Sequence, residues 1–377
     1  SPRTLSLYKL HPTHYKLPPP MLLSSLATAL PPYELLQDDV KTFSRRLFGP
    51  AFKRIEHLLD VYDNARIEKR NFCVPIEWFT EEHTFREKND LYIENAMALS
   101  ERAITDCLDR VDLGVPDVDY LLFVSTTGVA TPSIDARLIE RMPFRRNVKR
   151  LPIWGLGCAG GVAGLSRAMD IVRGRPDARV LVVVVELCGL TFMHEDLTKA
   201  NLIATALFGD GAAAVLVEGE GAAAARSVSG RTMRLVESST RTMPDSLDVM
   251  GWDVSGDGFG IVISRDIPTI VRTFMRDAIE EFLAEENLGV DDIDYFITHP
   301  GGAKVLEAYS DALDRPASTF GHTWDVLRDH GNMSAASVLF VLERFLAEDA
   351  EATGPRRGLL GALGPGFSSE VLGVRSA

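Results

Sequence analysis

The spacing of apolar residues divides the chain into short buried strands and amphipathic helices. Met21–Leu30 predicts a first buried strand, and helical periodicity runs from Tyr33 to about Leu59 and again over Ile93–Leu108. The run VLVVVVE at 180–186 has too many consecutive β-branched residues for a half-exposed strand, so it predicts the middle of a sheet covered on both faces. The pattern therefore indicates an α/β protein built in layers.

The remaining segments predict connections rather than membrane or targeting sequences. Residues 1–18 are polar and bounded by proline, which predicts an arm, and the aromatic-rich stretch Asn71–Phe85 predicts an irregular connection or lid. Met21–Leu30 is too short and lies too far into the chain to be typical of a signal peptide. Because no run approaches the roughly 18 apolar residues of a transmembrane helix, we expect no stable membrane insertion.

One pattern occurs twice along the chain. The segment VDYLLFVSTTG at 118–128 is an apolar strand with an Asp-Tyr start that ends in small polar residues and glycine, and DIDYFITHPGG at 292–302 has the same form. From the last glycine of each segment, the distance to Cys158 and to Asn332 is the same 30 positions. The repeat predicts a duplicated strand–helix unit with Cys158 and Asn332 at equivalent helix starts.

The two copies also end alike. Apolar, glycine-rich strands are predicted from LFGDGAAAVLV at 207–217 and from GLLGALGPGFSSEVLGV at 358–374. The Gly/Ala/Ser-rich stretch 219–229 separates the copies. We therefore expect one body made of two similar halves, 1–222 and 223–377.

The stretch LPIWGLGCAGGVAGL at 151–165 carries a cysteine at its centre. Its apolar run, glycines and small residues predict a strand that turns sharply into a tightly packed helix, with Cys158 at the helix N-terminus. Unpaired amide groups and the helix dipole stabilise a thiolate there, which predicts a pKa about one unit or more below the usual value of about 8.5. Cysteine is also among the most buried residue types, so a role as a small core hydrophobe is the alternative.

Two further residues converge on Cys158 through the symmetry of the repeat. His299 in ITHPGG lies at a predicted strand end, and Asn332 lies in HGNMSAAS. A thiolate needs a partner that stabilises its charge, and an Asn amide can donate alongside a His N–H to an oxyanion. Taken singly, His299 has the alternative of a satisfied loop histidine and Asn332 that of a helix cap. Placed together by the repeat, the three residues predict a catalytic site.

Composition and charge narrow the function classes. The 377 residues are 46% hydrophobic and 25% charged, which is ordinary for a globular protein. A formal charge of -13 argues against nucleic-acid binding and against attraction to anionic membranes. The four cysteines show no metal-like spacing and suit a reducing cytoplasm. We therefore expect no metal site and a cytoplasmic location.

Five motifs carry a resemblance to a known family. GLGCAGG, ALFGDGAAA, ITHPGG, HGNMSAAS and GALGPGFSSE resemble, in this order and spacing, the type III polyketide synthases of the chalcone and stilbene synthase family. The likeness covers about Leu22 to Val374 and implies a homodimer with a duplicated, five-layered αβαβα thiolase-like fold. It further implies that Cys158 carries the growing chain and that His299 and Asn332 drive decarboxylation. Malonyl-CoA and an acyl-CoA are the implied substrates, without a metal, flavin or nicotinamide.

The resemblance also assigns residues around the reaction cavity. Phe208 matches the family's gatekeeper phenylalanine between the coenzyme A tunnel and the cavity, and the second gatekeeper, aromatic in plant enzymes, falls near Ile261. Gly364, Pro365 and Gly366 match the end of the family's GFGPG loop, which scaffolds the cavity. The basic residues that bind coenzyme A phosphates in plant members have no clear match in the segment HLLDVYDNARIEKR.

Departures from the plant enzymes fall at the cavity. Thr131 stands at the position of a methionine that reaches across the dimer interface, Ala130 replaces an acidic residue, and Cys188 replaces a threonine of chalcone synthases. Thr126, Ala130 and Cys188 together resemble bacterial members that accept long fatty acyl starters, where small side chains open an extra apolar tunnel. Thr191 is expected to bind substrate beside them. The alternative is that these are ordinary packing substitutions.

The segment GWDVSGDGFGIVISRDIP at 251–268 also resembles the alkylpyrone and alkylresorcinol branch. A polyketide synthase with a fatty acyl starter is therefore the favoured interpretation. A chalcone-like or short-starter synthase and a ketoacyl-carrier-protein synthase use the same three residue types and are the alternatives within the fold. A papain-like cysteine hydrolase is disfavoured because Ala159, Gly160 and Gly161 follow the cysteine where an aromatic residue is expected. A non-catalytic protein with a decayed site is disfavoured by the intact set of Cys, His and Asn.

Overall fold

A computed structural model describes residues 21–225, 233–348 and 354–376. The predicted arm at 1–18 and the end of the predicted junction, 226–229, lie outside the described residues.

Strands and helices alternate along the chain. The strands are β1 (Met21–Ala29), β2 (Tyr33–Leu36), β3 (Lys69–Phe72), β4 (Tyr120–Val124), β5 (Lys149–Ile153), β6 (Arg179–Leu187), β7 (Asp210–Glu218), β8 (Met233–Thr242), β9 (Met250–Ser255), β10 (Gly258–Ile263), β11 (Tyr295–Thr298), β12 (Arg356–Gly364) and β13 (Ser368–Ser376). The helices are α1 (Gln37–Phe48), α2 (Ile55–Asn64), α3 (Phe85–Asp109), α4 (Ile134–Arg141), α5 (Gly160–Gly174), α6 (Lys199–Leu207), α7 (Glu220–Ala224), α8 (Ile267–Glu285), α9 (Ala303–Leu313), α10 (Gly321–His330) and α11 (Ser337–Glu348).

The strand pairing repeats, as the duplicated sequence pattern predicts. One nine-stranded sheet has the order β11-β12-β13-β8-β1-β7-β6-β4-β5. In the first half β4 pairs parallel to β6, β6 antiparallel to β7, and β7 antiparallel to β1. In the second half β11, β12, β13 and β8 make the same three pairings in the same order. The halves join where β1 pairs antiparallel with β8.

Helices cover both faces of each half-sheet. Helices α5 and α11 pack into one apolar cluster with residues of both half-sheets, so they form the central layer. Helix α3 covers the outer face of the first half, and α8 with α9 covers the outer face of the second. Val182 packs in the central cluster and Val183 in the outer one, which confirms that the run at 180–186 is buried on both faces. These layers are the predicted αβαβα arrangement.

Two predicted boundaries are wrong. Tyr33–Leu36 is a strand paired with β3 rather than the start of a helix, because cross-strand pairing overrides the local periodicity. Helix α3 begins at Phe85 rather than Ile93, and its N-terminus is closed by reciprocal hydrogen bonds between Thr84 and Glu87.

None of the described helices is long and apolar enough to cross a membrane.

Candidate active site

The turn that carries Cys158 is held against a loop of the other half of the chain. Cys158 lies in a single 3₁₀ turn, Gly157–Ala159, immediately before α5. Gly157 has a φ of +46°, and a Cβ there would lie 2.6 Å from Cδ of Pro365. Gly364 packs as closely, since its Cβ would lie 2.3 Å from the Leu156 carbonyl oxygen. The loop of Gly364, Pro365 and Gly366 therefore lies directly on the Cys158 turn.

Asn332 occupies the equivalent turn of the second half. Gly331, with a φ of +65°, precedes Asn332 as Gly157 precedes Cys158, and a 3₁₀ turn then leads into α11. The Asn332 Oδ1 accepts a hydrogen bond from the Ser334 N–H at 2.8 Å, and Nδ2 donates a long bond of 3.4 Å to the Gly301 carbonyl. These contacts orient the amide, and Asn332 also hydrogen-bonds with Cys158.

His299 lies just beyond β11 and is almost fully buried. Its backbone N–H donates to the Gly361 carbonyl at 2.9 Å, which anchors the residue to β12. Neither ring nitrogen has a hydrogen-bond partner among the described residues. Burial lowers the pKa of His299 to about 3, so the imidazole is neutral and presents one donor and one acceptor nitrogen.

The Cys158 thiol departs from the sequence-based expectation. Burial raises the pKa of Cys158 to about 12, hydrogen bonding with Ser334 and Asn332 lowers it by less, and the charge of Glu186 adds to the increase. The predicted decrease is therefore wrong for this site, because the loss of solvent outweighs the helix N-terminus. Burial therefore disfavours both the thiolate of Cys158 and the imidazolium of His299, and nucleophilic attack requires a proton transfer from the thiol.

A buried carboxylate beside Cys158 was not predicted. Glu186 is the second-to-last residue of β6, has no solvent exposure, and accepts hydrogen bonds from the Thr126 N–H (2.9 Å), the Thr127 hydroxyl (2.9 Å) and the Ser334 hydroxyl (3.2 Å). Burial raises the pKa of Glu186 to about 7, and the hydrogen bonds from these donors lower it by less. A glutamate closing an otherwise apolar strand was a visible sequence signal for this site.

An apolar pocket is lined by four of the sequence-predicted cavity residues, Cys188, Thr191, Phe208 and Ile261. Its other walls are largely aromatic and aliphatic side chains of β2, α1, β3 and the turn after β3, together with residues of α6. Two wall residues were missed, Trp252 and Phe259, whose rings are tilted with centroids 6.2 Å apart. The sequence of 251–268 indicates a resemblance to a motif but not which side chains line the pocket, because that depends on tertiary packing.

The other predicted cavity residues lie elsewhere. Thr126 is buried next to the Cys158 turn: its hydroxyl accepts from the Gly157 N–H at 3.0 Å, and its carbonyl accepts from Trp252 Nε1 at 2.9 Å. Ala130 packs against the cluster on the outer face of the first half-sheet and does not line the apolar pocket. Thr131 is exposed and precedes Pro132 through a cis peptide bond. The structure thus brings Cys188, but not Ala130, to the pocket.

Arg70 is the one basic residue of the segment at 57–70 that the structure removes from solvent. Its guanidinium donates to the carbonyls of Thr205 and Phe208, both at 2.7 Å, and to Gln37 Oε1 at 2.7 Å. Arg70 therefore holds the backbone beside the pocket. Among the described residues no cluster of three or more His, Cys, Asp or Glu side chains could hold a metal ion.

Two family models cover most of the chain. "Chalcone and stilbene synthases, N-terminal domain" matches residues 68–221, and the C-terminal domain of the same family matches residues 234–377.

Individual relatives agree with the family models. A Bacillus subtilis (strain 168) protein that carries the name of chalcone synthase is 44% identical over 92% of this chain and 96% of its own. The 1,3,6,8-tetrahydroxynaphthalene synthase of Streptomyces peucetius subsp. caesius is 40% identical over 94% of this chain and 92% of its own. The solved structure of the tetrahydroxynaphthalene synthase of Streptomyces coelicolor A3(2), a bacterial type III polyketide synthase, superposes with a TM-score of 0.85 at 30% identity, covering 94% of this chain and 98% of that one.

Proposed function

Because the chain belongs to the chalcone and stilbene synthase family of type III polyketide synthases, which are acyltransferases, we propose that it extends a medium- or long-chain fatty acyl-CoA with malonyl-CoA. The product is an alkyl α-pyrone, closed through an enol oxygen, or a resorcinol, closed through carbon. In this reaction the first half, 1–222, supplies the nucleophile, and the second half, 223–377, supplies the histidine and the asparagine.

Starter loading begins with deprotonation of Cys158. The neutral imidazole of His299 accepts the thiol proton, and the sulfur attacks the thioester carbon of the acyl-CoA. The oxyanion accepts hydrogen bonds from the His299 N–H and from Asn332 Nδ2, whose bond to the Gly301 carbonyl is long. When the tetrahedral intermediate collapses, the bond to coenzyme A sulfur breaks, coenzyme A leaves as its thiolate, and the acyl group stays on Cys158.

Extension uses the same two donors. Malonyl-CoA loses CO₂ as its carbon–carboxylate bond breaks, and the electron pair moves into an enolate whose oxygen faces His299 and Asn332. The apolar surface of Phe208 disfavours the charged carboxylate and so favours its loss. The enolate carbon then attacks the acyl carbonyl on Cys158, the carbon–sulfur bond breaks, and the chain is two carbons longer. No step calls for a metal, flavin or nicotinamide.

The apolar pocket is the observation that carries the choice of a fatty starter. Cys188 and Phe208 lie at its wall with aromatic and aliphatic residues, and none of its described lining residues is charged. Each methylene that leaves water for such a pocket contributes about 0.8 kcal/mol. Twelve methylenes would outweigh the cost of ordering the chain, so a long acyl group is the substrate that this lining favours.

We further propose that the enzyme is a homodimer. Strand β5 is an edge strand of the sheet, and Leu151 on it is 39% exposed beside Trp154 at 50% and Val129 at 42%. An exposed apolar group along an open strand edge needs cover, and a second copy supplies a complementary surface through a two-fold axis. The cytoplasm is the proposed location, since the four cysteines are buried unpaired thiols.

A short-starter synthase is the second candidate. The 40% identity to a tetrahydroxynaphthalene synthase favours it, because that relative carries a product name without an alkyl chain. Mass spectrometry of the products from malonyl-CoA and a starter series from acetyl- to stearoyl-CoA separates the two. We expect pyrones or resorcinols with long alkyl chains, and preferred use of acetyl or malonyl starters would contradict the fatty acyl assignment.

A further inference from the structure

The hairpin of β9 and β10 forms part of the pocket wall without joining the main sheet. Among the described strands, β9 and β10 pair only with each other. Trp252 and Phe259 of this hairpin line the apolar pocket, and Thr191 and Phe192, in the turn after β6, line the adjoining part of its wall. A two-stranded ribbon is only marginally stable alone, so the position of the hairpin depends on contacts with other segments.

Side chains of the two strands supply some of these contacts. Phe259 packs edge-on against Phe85 of α3, with the ring centroids 5.3 Å apart. Trp252 Nε1 donates to the Thr126 carbonyl at 2.9 Å, beside the turn that carries Cys158. The tip of the hairpin, at 256–257, is held by a different residue of α3.

Lys88 holds this tip through a buried ammonium group. Its Nζ donates to the Asp257 carbonyl at 3.0 Å and to the Phe192 carbonyl at 3.3 Å, and the residue is only 6% exposed. Gly258 fits closely around it, because a Cβ there would lie 3.3 Å from Nζ. Burial lowers the pKa of Lys88, and the charges of Asp257 and Glu82 oppose that decrease. Lys88 therefore joins the hairpin to the turn after β6.

We propose that Lys88 is a positioning residue for the reaction: its ammonium group fixes the hairpin against the turn after β6 and so keeps Trp252 and Phe259 at the wall where the acyl group binds. The part that concerns acyl binding rests on the proposed function. Lys88 borders a separate space of only about 10 Å³ and does not line the pocket, so it acts through the wall residues rather than on the substrate. Without its ammonium group, two buried carbonyls lose a charged donor.

Hydrogen exchange tests the structural half of the proposal. Lys88→Met removes the ammonium group at similar side-chain length, and amide exchange over 250–263 should become on the order of tenfold faster, because two charge-assisted hydrogen bonds are lost. Exchange over β4 and β6 should not change, and Lys88→Arg should restore a rate near that of the wild type. Lys88→Gln keeps a neutral donor and should give a smaller increase over the same segment, which carries the test if Lys88→Met does not fold.

Steady-state kinetics test the functional half. Because a loosened wall binds the acyl group less well in the ground state and the transition state alike, Lys88→Met should raise the KM for an acyl-CoA starter roughly tenfold and change kcat by no more than about twofold. Alkylation of Cys158 by iodoacetamide should keep its wild-type rate. Lys41→Met is the matched control, because Lys41 is a half-buried lysine that donates to Asp63 at 2.7 Å between α1 and α2.

Three results would overturn the positioning role of Lys88. They are wild-type exchange over 250–263 in Lys88→Met, an equal increase of exchange over β4 and β6, and a fall in kcat with KM unchanged. A wild-type protein that extends no acyl-CoA would instead overturn the proposed function and the claim about acyl binding. Hydrogen exchange needs no substrate, so it tests the contact between Lys88 and the hairpin in either case.

Discussion

Phe208 and Asn332, from different halves of the chain, form a parallel β-bridge beside the reaction cavity. The Asn332 N–H donates to the Leu207 carbonyl at 2.9 Å, and the Gly209 N–H donates to the Asn332 carbonyl at 2.9 Å. The backbone thus joins the wall of the pocket to the amide that is proposed to stabilise the oxyanion. Because the bridge uses only backbone atoms, side-chain changes at either residue leave it in place.

Asn332→Ala should therefore remove one donor without moving the pocket. We expect malonyl-CoA decarboxylation to fall by a factor on the order of 10² or more, by analogy with oxyanion donors, while acyl loading of Cys158 is less affected. CO₂ release and the mass of the acylated protein measure the two steps. Asn71→Ala, which removes another buried asparagine amide, should leave both steps unchanged. Normal decarboxylation by the Asn332 variant would exclude this residue from the mechanism.

His299→Gln should slow alkylation of Cys158. The thiol has a raised pKa, and the neutral imidazole is the proposed acceptor for its proton. We expect iodoacetamide to label Cys158 before the other cysteines in the wild type and to react on the order of 10²-fold more slowly at pH 8 in the variant.

Two controls define that measurement. Cys158→Ala must abolish the labelled peptide and chain extension while the thermal unfolding midpoint stays near the wild-type value. His322→Gln changes a half-buried histidine on α10 and should not alter the rate. Equal rates for the wild type and His299→Gln would mean that another group takes the proton.

The duplicated fold was predictable because its signal is periodic and long. Strand patterns, equal spacing to Cys158 and Asn332, and a positive-φ glycine before each residue repeat in both halves, and the structure confirms these local turns. The start of α3 was missed although the TFRE sequence contains the capping pair of Thr84 and Glu87, because the amphipathic pattern becomes clear only later.

The site was less predictable than the fold. A helix N-terminus is readable from sequence, whereas the burial that raises the pKa of Cys158 depends on which loops cover it. The same holds for Glu186, whose donors come from two separate segments, and for Trp252 and Phe259, which reach the pocket from a hairpin. Ala130 packs against the outer-face cluster of the first half-sheet, and its role as a tunnel residue stays a prediction.

Glu186 should make folding stability depend on pH. Its pKa is about 7 in the folded protein and 4.5 as the ordinary value, so the folded state favours the protonated form. The stabilisation is complete below about pH 4.5 and is lost as the pH rises through 7, on the order of 3 kcal/mol in all. The free energy of unfolding, measured with urea, should therefore fall less between pH 5 and pH 8 in Glu186→Gln than in the wild type.

The exposed residue Glu94 supplies the control for this comparison. Glu94→Gln should show the wild-type difference between pH 5 and pH 8. Identical pH dependence of the wild type and Glu186→Gln would mean that folding does not raise the pKa of Glu186.

The chain should form dimers. Light scattering at micromolar concentration should give twice the chain mass of 41.4 kDa. Trp154→Arg should shift the protein toward monomer, because it places a charge within the proposed apolar interface. Leu247→Arg is the matched control at a residue that is 88% exposed outside this surface. A wild-type mass near 41.4 kDa would contradict the proposed homodimer.

Cys188→Phe should convert a long-chain enzyme into a short-chain one. Cys188 is buried and lines the pocket, so a phenyl ring there occupies the path of an alkyl tail while Cys158, His299 and Asn332 keep their positions. With about 0.8 kcal/mol for each methylene that no longer leaves water, turnover of stearoyl- or lauroyl-CoA should fall roughly 10²-fold or more relative to hexanoyl- or acetyl-CoA. Cys188→Ala keeps the space open and should retain the preference for long starters. A uniform loss across the starter series in Cys188→Phe would mean that Cys188 is an ordinary packing substitution. That result, or a wild type that prefers short or aromatic starters, would mean that the fatty acyl assignment is wrong.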